Sequence, residues 1–167
     1  MRAYTINAIG DRPQLTDIAV PEPAAGQVRI DIKACGLNFA DLLMQSGTYQ
    51  DTPPAPFTLG MEVSGVVSAL GPDTKGANIG DRVAVFGGQG GLAEHGCYDV
   101  SRLLPLPDTM DFETAAAFQI AYGTSHVALG YRARLQPGET LLVLGAAGGV
   151  GLTAVEIGKQ MGATVIA

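Results

Sequence analysis

Alternating apolar and polar residues dominate the first two thirds of the chain and predict a β-rich domain. Residues 27–34 (QVRIDIKA) place Val28, Ile30 and Ile32 on one face of a half-buried strand. Similar segments lie between glycine- and proline-rich turns, and they predict further strands at residues 1–7, 14–20, 62–70, 81–86 and 92–100. Many short strands of this kind favour a barrel or a sandwich.

Breaks in the alternation predict a helix, a loop and a close backbone approach within this domain. Residues 38–46 (NFADLLMQS) predict a helix that has Asn38 as its N-cap and ends at Gly47. The proline-rich residues 52–57 (TPPAPF) predict a loop. Gly65 stands inside an apolar strand and predicts a bulge or a close approach of another backbone segment.

The pattern changes after Pro107 to helical periodicity and then to a strand–helix–strand unit. Residues 140–145 (TLLVLG) are apolar throughout, as expected for the buried centre of a parallel sheet. The predicted helices are 111–119 with Asp111 as its N-cap, 124–134, and 150–161 with Gly162 as its stop, and the last predicted strand is 163–167.

The glycine loop between the apolar strand and the last helix predicts an anion site. The first amides of a helix lack partners inside the helix and lie at the positive end of its dipole, so a pyrophosphate satisfies them. In the frame Ala146-x-Gly148-x-x-Gly151, Gly148 would let the backbone approach phosphate and Gly151 would let helix and strand pack closely. The alternative is a tight packing turn that binds no ligand.

Composition and charge narrow the classes of partner. The 167 residues are 47% apolar and 16% charged, with a net charge of -6 and no basic patch, so the composition is globular and disfavours nucleic acid. No export leader opens the chain and the apolar segment 141–155 is too short to span a bilayer, so we expect a cytoplasmic protein with no membrane partner. Cys35 and Cys97 lack metal or disulfide spacing and are expected to be reduced thiols.

Five motifs stand along nearly the whole chain in a specific order. They are ACGLNFADLLMQSGTY at 34–49, LGMEVSGVV at 59–67, GDRVAVF at 80–86, AYGTSHVAL at 121–129 and PGETLLVLGAAGGVG at 137–151. Together they resemble the medium-chain dehydrogenase/reductase superfamily, and within it the zinc-independent NADPH:quinone oxidoreductases. Several ordered motifs are far more specific than a single glycine loop.

The resemblance implies an α/β fold with two domains. Residues 1–121 would form a GroES-like β-barrel catalytic domain, and residues 122–167 the first βαβ unit of an incomplete Rossmann-type domain. Superfamily members run to about twice this length, and a lone strand pair with one helix would expose an apolar sheet face. We therefore expect the chain to be part of a longer polypeptide, for which the resemblance also allows a homodimer.

The comparison with zinc alcohol dehydrogenases of the same superfamily predicts that no metal binds. Those enzymes place a cysteine where this chain has Asn38 and a histidine where it has Met61, and they carry a four-cysteine zinc lobe where this chain has only the loop 87–91. A catalytic zinc needs about three protein ligands from cysteine, histidine or carboxylate. Asp41 and Glu62 remain, but no thiolate or imidazole accompanies them at the two compared positions.

The resemblance also implies roles for particular residues, each with a structural alternative. Asn38 would hydrogen-bond near the nicotinamide or the substrate oxygen; its structural alternative is a plain helix cap, and both can hold at the same time. Tyr49 would line the substrate cleft and donate a proton, or be a half-buried tyrosine whose hydroxyl reaches water. Thr124 would contact the cofactor ribose or phosphate, or cap a helix. The expected pyrophosphate-binding residues are Ala146, Ala147, Gly148, Gly149, Val150 and Gly151.

Other polar residues are predicted to be structural. His95 and His126 lack a partner pattern and are expected at the surface or in packing contacts. Cys97 is expected to be an inert thiol on a strand. Asp41 and Glu62 are expected to form structural hydrogen bonds rather than an acid–base pair.

The function implied by the resemblance is hydride transfer from NADPH to a quinone or a related activated carbonyl. Without zinc no Lewis acid polarises the acceptor, so an acceptor that takes hydride readily is favoured. Some quinone reductases have a tyrosine at the position that Leu43 occupies in this chain. Leucine in place of that tyrosine makes the cleft more apolar. The alternatives are an enone or enoyl-thioester reductase, a non-catalytic NADPH-binding protein, and a zinc dehydrogenase.

Overall fold

The computed structural model describes residues 1–167, which divide into two compact units, Met1–Ala117 and Phe118–Ala167. The boundary at 121/122 between a catalytic and a cofactor domain stays a prediction. The strands are β1 Arg2–Ile6, β2 Gln14–Asp17, β3 Gln27–Gly36, β4 Phe57–Thr58, β5 Glu62–Leu70, β6 Arg82–Phe86, β7 His95–Asp99, β8 Leu103–Pro105, β9 Thr140–Leu142 and β10 Thr164–Ile166. The helices are α1 Phe39–Gln45, α2 Phe112–Ala116, α3 Gln119–His126 and α4 Gly149–Gln160.

The first unit is built from antiparallel strands in two sheets. One sheet has the order β2-β1-β4, and the other has the order β7-β3-β5-β6-β8. Val28 and Ile30 of β3 are fully buried in the core, and Ile32 packs against it partly buried, so the predicted inward face of this strand is confirmed.

Gly65 marks the close approach that its position in the sequence predicts. A Cβ at Gly65 would lie 2.2 Å from the backbone oxygen of Asp31 on the neighbouring strand. The pairing of β3 with β5 also shifts register between Ile32 and Ala34, directly beside this glycine. A side chain at position 65 would therefore push these two central strands apart.

Two short strands in the first unit are not predicted by the pattern. Phe57 is the last residue of the predicted proline loop, but it begins β4 and pairs with Ile6 of β1. Proline lacks the backbone N–H donor that a sheet needs, so Pro53, Pro54 and Pro56 predict a loop even though a strand starts immediately after them. The second missed strand, β8, pairs with β6.

The helices after Pro107 begin and end at other residues than predicted. The predicted helix 111–119 is capped by Asp111 as expected, but it ends at Ala116. The next helix begins at Gln119, not at residue 124, and continues as a π-helical segment from Val127 to Arg132. The break lies at Ala117, whose φ of -93° and ψ of 0° are not helical. No proline or glycine at this point of the sequence indicates the break.

The second unit contains the predicted strand–helix–strand unit. Strand β9 pairs in parallel with β10, with Leu141 opposite Val165. Within residues 1–167 the burial expected for the segment 140–145 is incomplete, because Val143 is buried but Leu142 and Leu144 are 62% and 85% exposed. β10 is the strand paired with β9, and this lone strand pair leaves apolar side chains uncovered, as expected for a strand pair with one helix. None of the helices has the length and apolar character that crossing a membrane requires.

Candidate functional site

Asn38 links the start of α1 to the buried end of β5. Its backbone N–H donates to Asp41 Oδ2 at 2.9 Å, and its side-chain Nδ2 donates to Glu62 Oε1 at 2.9 Å. The N-cap prediction is therefore confirmed in position. Asp41 also accepts from the backbone N–H of Gly60 at 3.0 Å through its other oxygen. The carboxyls of Asp41 and Glu62 are both buried and hydrogen-bonded. This agrees with the expectation that the two residues form structural hydrogen bonds.

The bond to Glu62 fixes how Asn38 is presented. An asparagine side chain has two N–H donors and one oxygen acceptor. One donor is used by Glu62, so the amide plane is oriented. Gly36 makes room for the Glu62 carboxyl, because a Cβ there would lie 2.5 Å from Oε1. Sequence reasoning did not identify this contact, since 24 positions separate its partners.

Cys35, beside this cluster, is a protonated thiol. Burial, together with the negative charges of Asp41 and Glu62, raises the pKa of the Cys35 thiol to about 12. A thiol protonated at neutral pH is a poor nucleophile and a poor metal ligand. Cys35 is a free cysteine, as expected of a reduced thiol.

Tyr49 lines a cavity of about 180 Å³ in the first unit. Met44, Met61 and Phe86 contribute apolar walls, and Gln89 supplies an amide. Met61 therefore lies in the same cavity as the tyrosine. The sequence singled out both residues, but the contributions of Met44, Phe86 and Gln89 carried no local signal. The catalytic role of Tyr49 stays a prediction.

The side chains at the two motif positions compared with zinc dehydrogenases are an amide and a buried thioether. Asn38 Nδ2 is a hydrogen-bond donor to Glu62, and Met61 is 3% exposed. Neither is a usual zinc ligand. No group of three or more histidine, cysteine or acidic side chains is placed to hold a metal ion.

The glycine loop leads from β9 into α4 as the motif predicts. Gly145 has φ +71°, and its carbonyl accepts from the N–H of Gly148, which is the N-cap of the helix. A Cβ at Gly151 would lie 2.2 Å from the Gly145 oxygen, which confirms the close packing expected there. At Gly148 a Cβ would meet only that oxygen, at 3.4 Å, so its outer side is open.

The residues expected to bind pyrophosphate lie together around the start of α4. Ala147, Gly148, Gly149 and Val150 are exposed, and Ala146 and Gly151 are partly buried. Exposed amides at the first turn of a helix fit a diphosphate group. The binding role itself stays a prediction.

Thr124 is exposed and lies within α3, so its alternative as a helix cap is wrong. The neighbouring Ser125 is buried and joins α3 to α4. Its hydroxyl donates to the Val150 carbonyl at 2.8 Å and lies 2.8 Å from the hydroxyl of Thr153. Thr153 in turn donates to the carbonyl of Ala121 at 3.0 Å. These bonds hold the glycine-loop end of α4 against α3, and Thr124 is next to them.

His95 has a partner that the sequence did not indicate. Its Nδ1 lies 2.8 Å from Asp31 Oδ1 on the paired strand, where the two residues stand opposite each other. Hydrogen bonds from Ser68 and from His95 lower the pKa of the Asp31 carboxyl. His126 is exposed and Cys97 lies on β7, both as expected.

Comparison with known proteins places the first unit in a family. The family of alcohol dehydrogenase GroES-like domains matches residues 24–108. Quinone oxidoreductase-like protein 2 of Rattus norvegicus is 42% identical over 151 residues, which cover 90% of this chain and 43% of that protein.

Two solved structures are similar over 99% of the chain. The quinone oxidoreductase of Thermus thermophilus, solved also with NADPH, is 41% identical with a TM-score of 0.87 and is covered to 52%. The human synaptic vesicle membrane protein VAT-1 homolog-like protein is 39% identical with a TM-score of 0.92 and is covered to 54%. The chain thus spans about half the length of the relatives it matches, and the predicted α/β fold with an incomplete second domain is confirmed.

Proposed function

The chain belongs to the alcohol dehydrogenase GroES-like family, and from this premise we propose that the full-length protein transfers a hydride from NADPH to a quinone or a related activated carbonyl without zinc. The observation that carries the proposal is the cavity in which Tyr49 and Met61 lie together. It combines a proton donor with apolar walls. A buried thioether stands at the position where the zinc dehydrogenases place a histidine ligand.

This donor set suits an acceptor that needs little electrophilic help. Zinc would polarise a carbonyl strongly, but Asn38 and Met61 do not offer zinc its usual ligands. A quinone or enone takes hydride readily, and a hydrogen-bond donor is sufficient for it. The similarity to a quinone oxidoreductase solved with NADPH supports the same choice of cofactor and acceptor.

Each candidate residue has a defined task in this proposal. NADPH, when bound, supplies the hydride. The exposed residues Ala147 to Val150 hold the pyrophosphate at the start of α4, where the N–H of Gly148 is already donated to Gly145. Ala146 and Gly151 shape the turn, and Thr124 contacts the ribose or phosphate. Asn38, oriented by Glu62, binds the nicotinamide amide or the acceptor oxygen. Tyr49 donates a proton to the acceptor oxygen as negative charge develops there, so that hydride and proton together complete the reduction.

The proposal is tested by steady-state oxidation of NADPH by the full-length protein. The acceptors are a panel of quinones, a panel of enones and a set of enoyl-CoA thioesters, each assayed with and without a strong chelator. We expect the highest kcat/KM with quinones, no loss with chelator, and no stoichiometric metal in the purified protein.

Other results would lead to different functions. Preference for enoyl thioesters would identify an enoyl reductase. Stoichiometric zinc with loss of activity on chelation would identify a zinc dehydrogenase. Tight NADPH binding without turnover on any acceptor would identify a non-catalytic nucleotide-binding protein. A cytoplasmic location and a homodimer of the full-length protein stay predictions.

A further inference from the structure

A second cavity, of about 380 Å³, adjoins the Tyr49 cavity within the first unit. One wall is the proline-rich loop with Phe57, and another is formed by Tyr98 of β7. Pro53 and Gln89 line both cavities. The two cavities are therefore neighbours that share these two side chains as part of their walls.

Tyr98, in the wall of this second cavity, has an unpartnered hydroxyl. The residue is 6% exposed, and its Oη is buried without a hydrogen-bond partner in the structure. Leaving a buried donor unpaired costs free energy, so such a group is a candidate for binding an acceptor atom. Burial raises the pKa of Tyr98, which keeps the hydroxyl protonated as a donor at neutral pH.

Three glycines pack around the ring and define the side from which an atom can approach the hydroxyl. A Cβ at Gly87 would lie 2.4 Å from a ring carbon of Tyr98, and a Cβ at Gly96 would lie 2.6 Å from Oη. At Gly90 a Cβ would meet only Oη, at 3.8 Å. The Gly90 side therefore has the most room, and Gly90 itself lines the cavity.

We propose that the second cavity binds an apolar arm of the acceptor and that Tyr98 Oη donates a hydrogen bond to an ether or carbonyl oxygen on that arm. This inference rests on the proposed function for its choice of acceptor. The prolines and Phe57 supply apolar contact for the arm, and the hydroxyl selects arms that carry an oxygen. The substrate class is thereby narrowed to quinone-type carbonyls with an oxygen-bearing apolar side chain.

The test uses three benzoquinones and the full-length protein. One has no side chain, one has an alkyl side chain, and one has a side chain of the same length interrupted by an ether oxygen. Dissociation constants are measured by isothermal titration calorimetry without NADPH. Wild type, Tyr98→Phe and Pro54→Trp are compared with Tyr4→Phe, a control that removes a hydroxyl from an exposed tyrosine in the same unit.

We expect wild type to bind the ether compound about three- to tenfold more tightly than the alkyl compound, the range of one neutral hydrogen bond. Tyr98→Phe should abolish this preference, and Tyr4→Phe should keep it. Pro54→Trp, at an exposed position on the cavity wall, should weaken both long compounds and leave the compact benzoquinone unchanged.

Three results would overturn the inference. Wild type would show no preference for the ether, or the preference would survive in Tyr98→Phe, or a structure of the full-length protein would show its own residues filling the cavity. NADPH-dependent reduction of the compact benzoquinone separates this inference from the proposed function. If that reduction occurs without an ether preference, only the arm site is wrong. If the Tyr98-dependent preference is measured without any reduction, the arm site stands and the reductase function is wrong.

Discussion

Replacing Gly148 and Gly151 separately by valine distinguishes a phosphate-binding loop from a packing turn. The two glycines are three positions apart in one loop, but their surroundings differ. A Cβ at Gly148 would lie 3.4 Å from the Gly145 oxygen, which is an ordinary contact. A Cβ at Gly151 would lie 2.2 Å from the same oxygen and 2.8 Å from the Cα of Ala146, and both of these are backbone atoms that cannot rotate away.

The expected stabilities follow from these distances. Gly148 has φ -81° and ψ 162°, an extended conformation that valine adopts readily, so Gly148→Val loses only about 1 kcal/mol from the less favourable N-cap. Gly151→Val must move the backbone, and overpacking of this kind costs about 1–3 kcal/mol. The gain in helix propensity over glycine is a few tenths of a kcal/mol, roughly, and does not offset it.

For NADPH binding, in contrast to stability, the loss is expected in Gly148→Val. The outer side of Gly148 is open, and a branched side chain there occupies the path of the phosphate. We expect Gly148→Val to fold and to bind NADPH at least about tenfold more weakly, a loss of about 1.4 kcal/mol or more. Guanidinium unfolding and calorimetric titration of NADPH on the full-length variants measure the two effects. Wild-type NADPH affinity in Gly148→Val would refute the phosphate role, and a wild-type unfolding midpoint in Gly151→Val would refute the close packing.

Three further predictions concern the first unit. Tyr49→Phe should lower kcat roughly tenfold or more with unchanged NADPH affinity, because only the proton donor is lost; unchanged turnover would reduce Tyr49 to a wall of the cavity. Asn38→Ala should lower the free energy of unfolding by about 1–3 kcal/mol, because buried Glu62 loses a donor, and an unshifted urea midpoint would contradict this. With a pKa of about 12, the native Cys35 thiol should react far more slowly with iodoacetamide near neutral pH than in the unfolded chain, and its rate should rise about tenfold per pH unit below that pKa. Rapid alkylation of the native protein, located by mass spectrometry, would show that the thiol is not protonated by burial.

Several features were predictable because they depend on residues close together in the chain. The inward face of β3 follows from the alternation at Val28 and Ile30, and the start of α1 follows from Asn38 with Asp41 three positions later. Gly151 was assigned to close packing from its place in the loop motif, and the structure puts it directly against Gly145. In each case the backbone conformation and the nearest neighbours are set within a few residues.

Other expectations failed because a local pattern does not report how a segment is covered. Residues 140–145 are as apolar as a central strand, but within residues 1–167 only β10 pairs with β9, and Leu142 is exposed. The alanine-rich segment around Ala117 has no breaker residue, and the helix nevertheless ends there and restarts at Gln119. The energies of helix and turn are too similar in such a segment for propensity to decide between them.

The sequence by itself determined the fold class, the strand and helix periodicity, the glycine loop and the residue types at the positions compared with zinc dehydrogenases. The tertiary structure alone decided which distant residues meet: Glu62 with Asn38, His95 with Asp31, and the Tyr98 hydroxyl with the glycines around it. Periodicity and turn chemistry arise from covalent geometry between neighbours in the chain. Contacts across many residues depend on the pairing and register of whole strands, which the packing of the entire unit selects together.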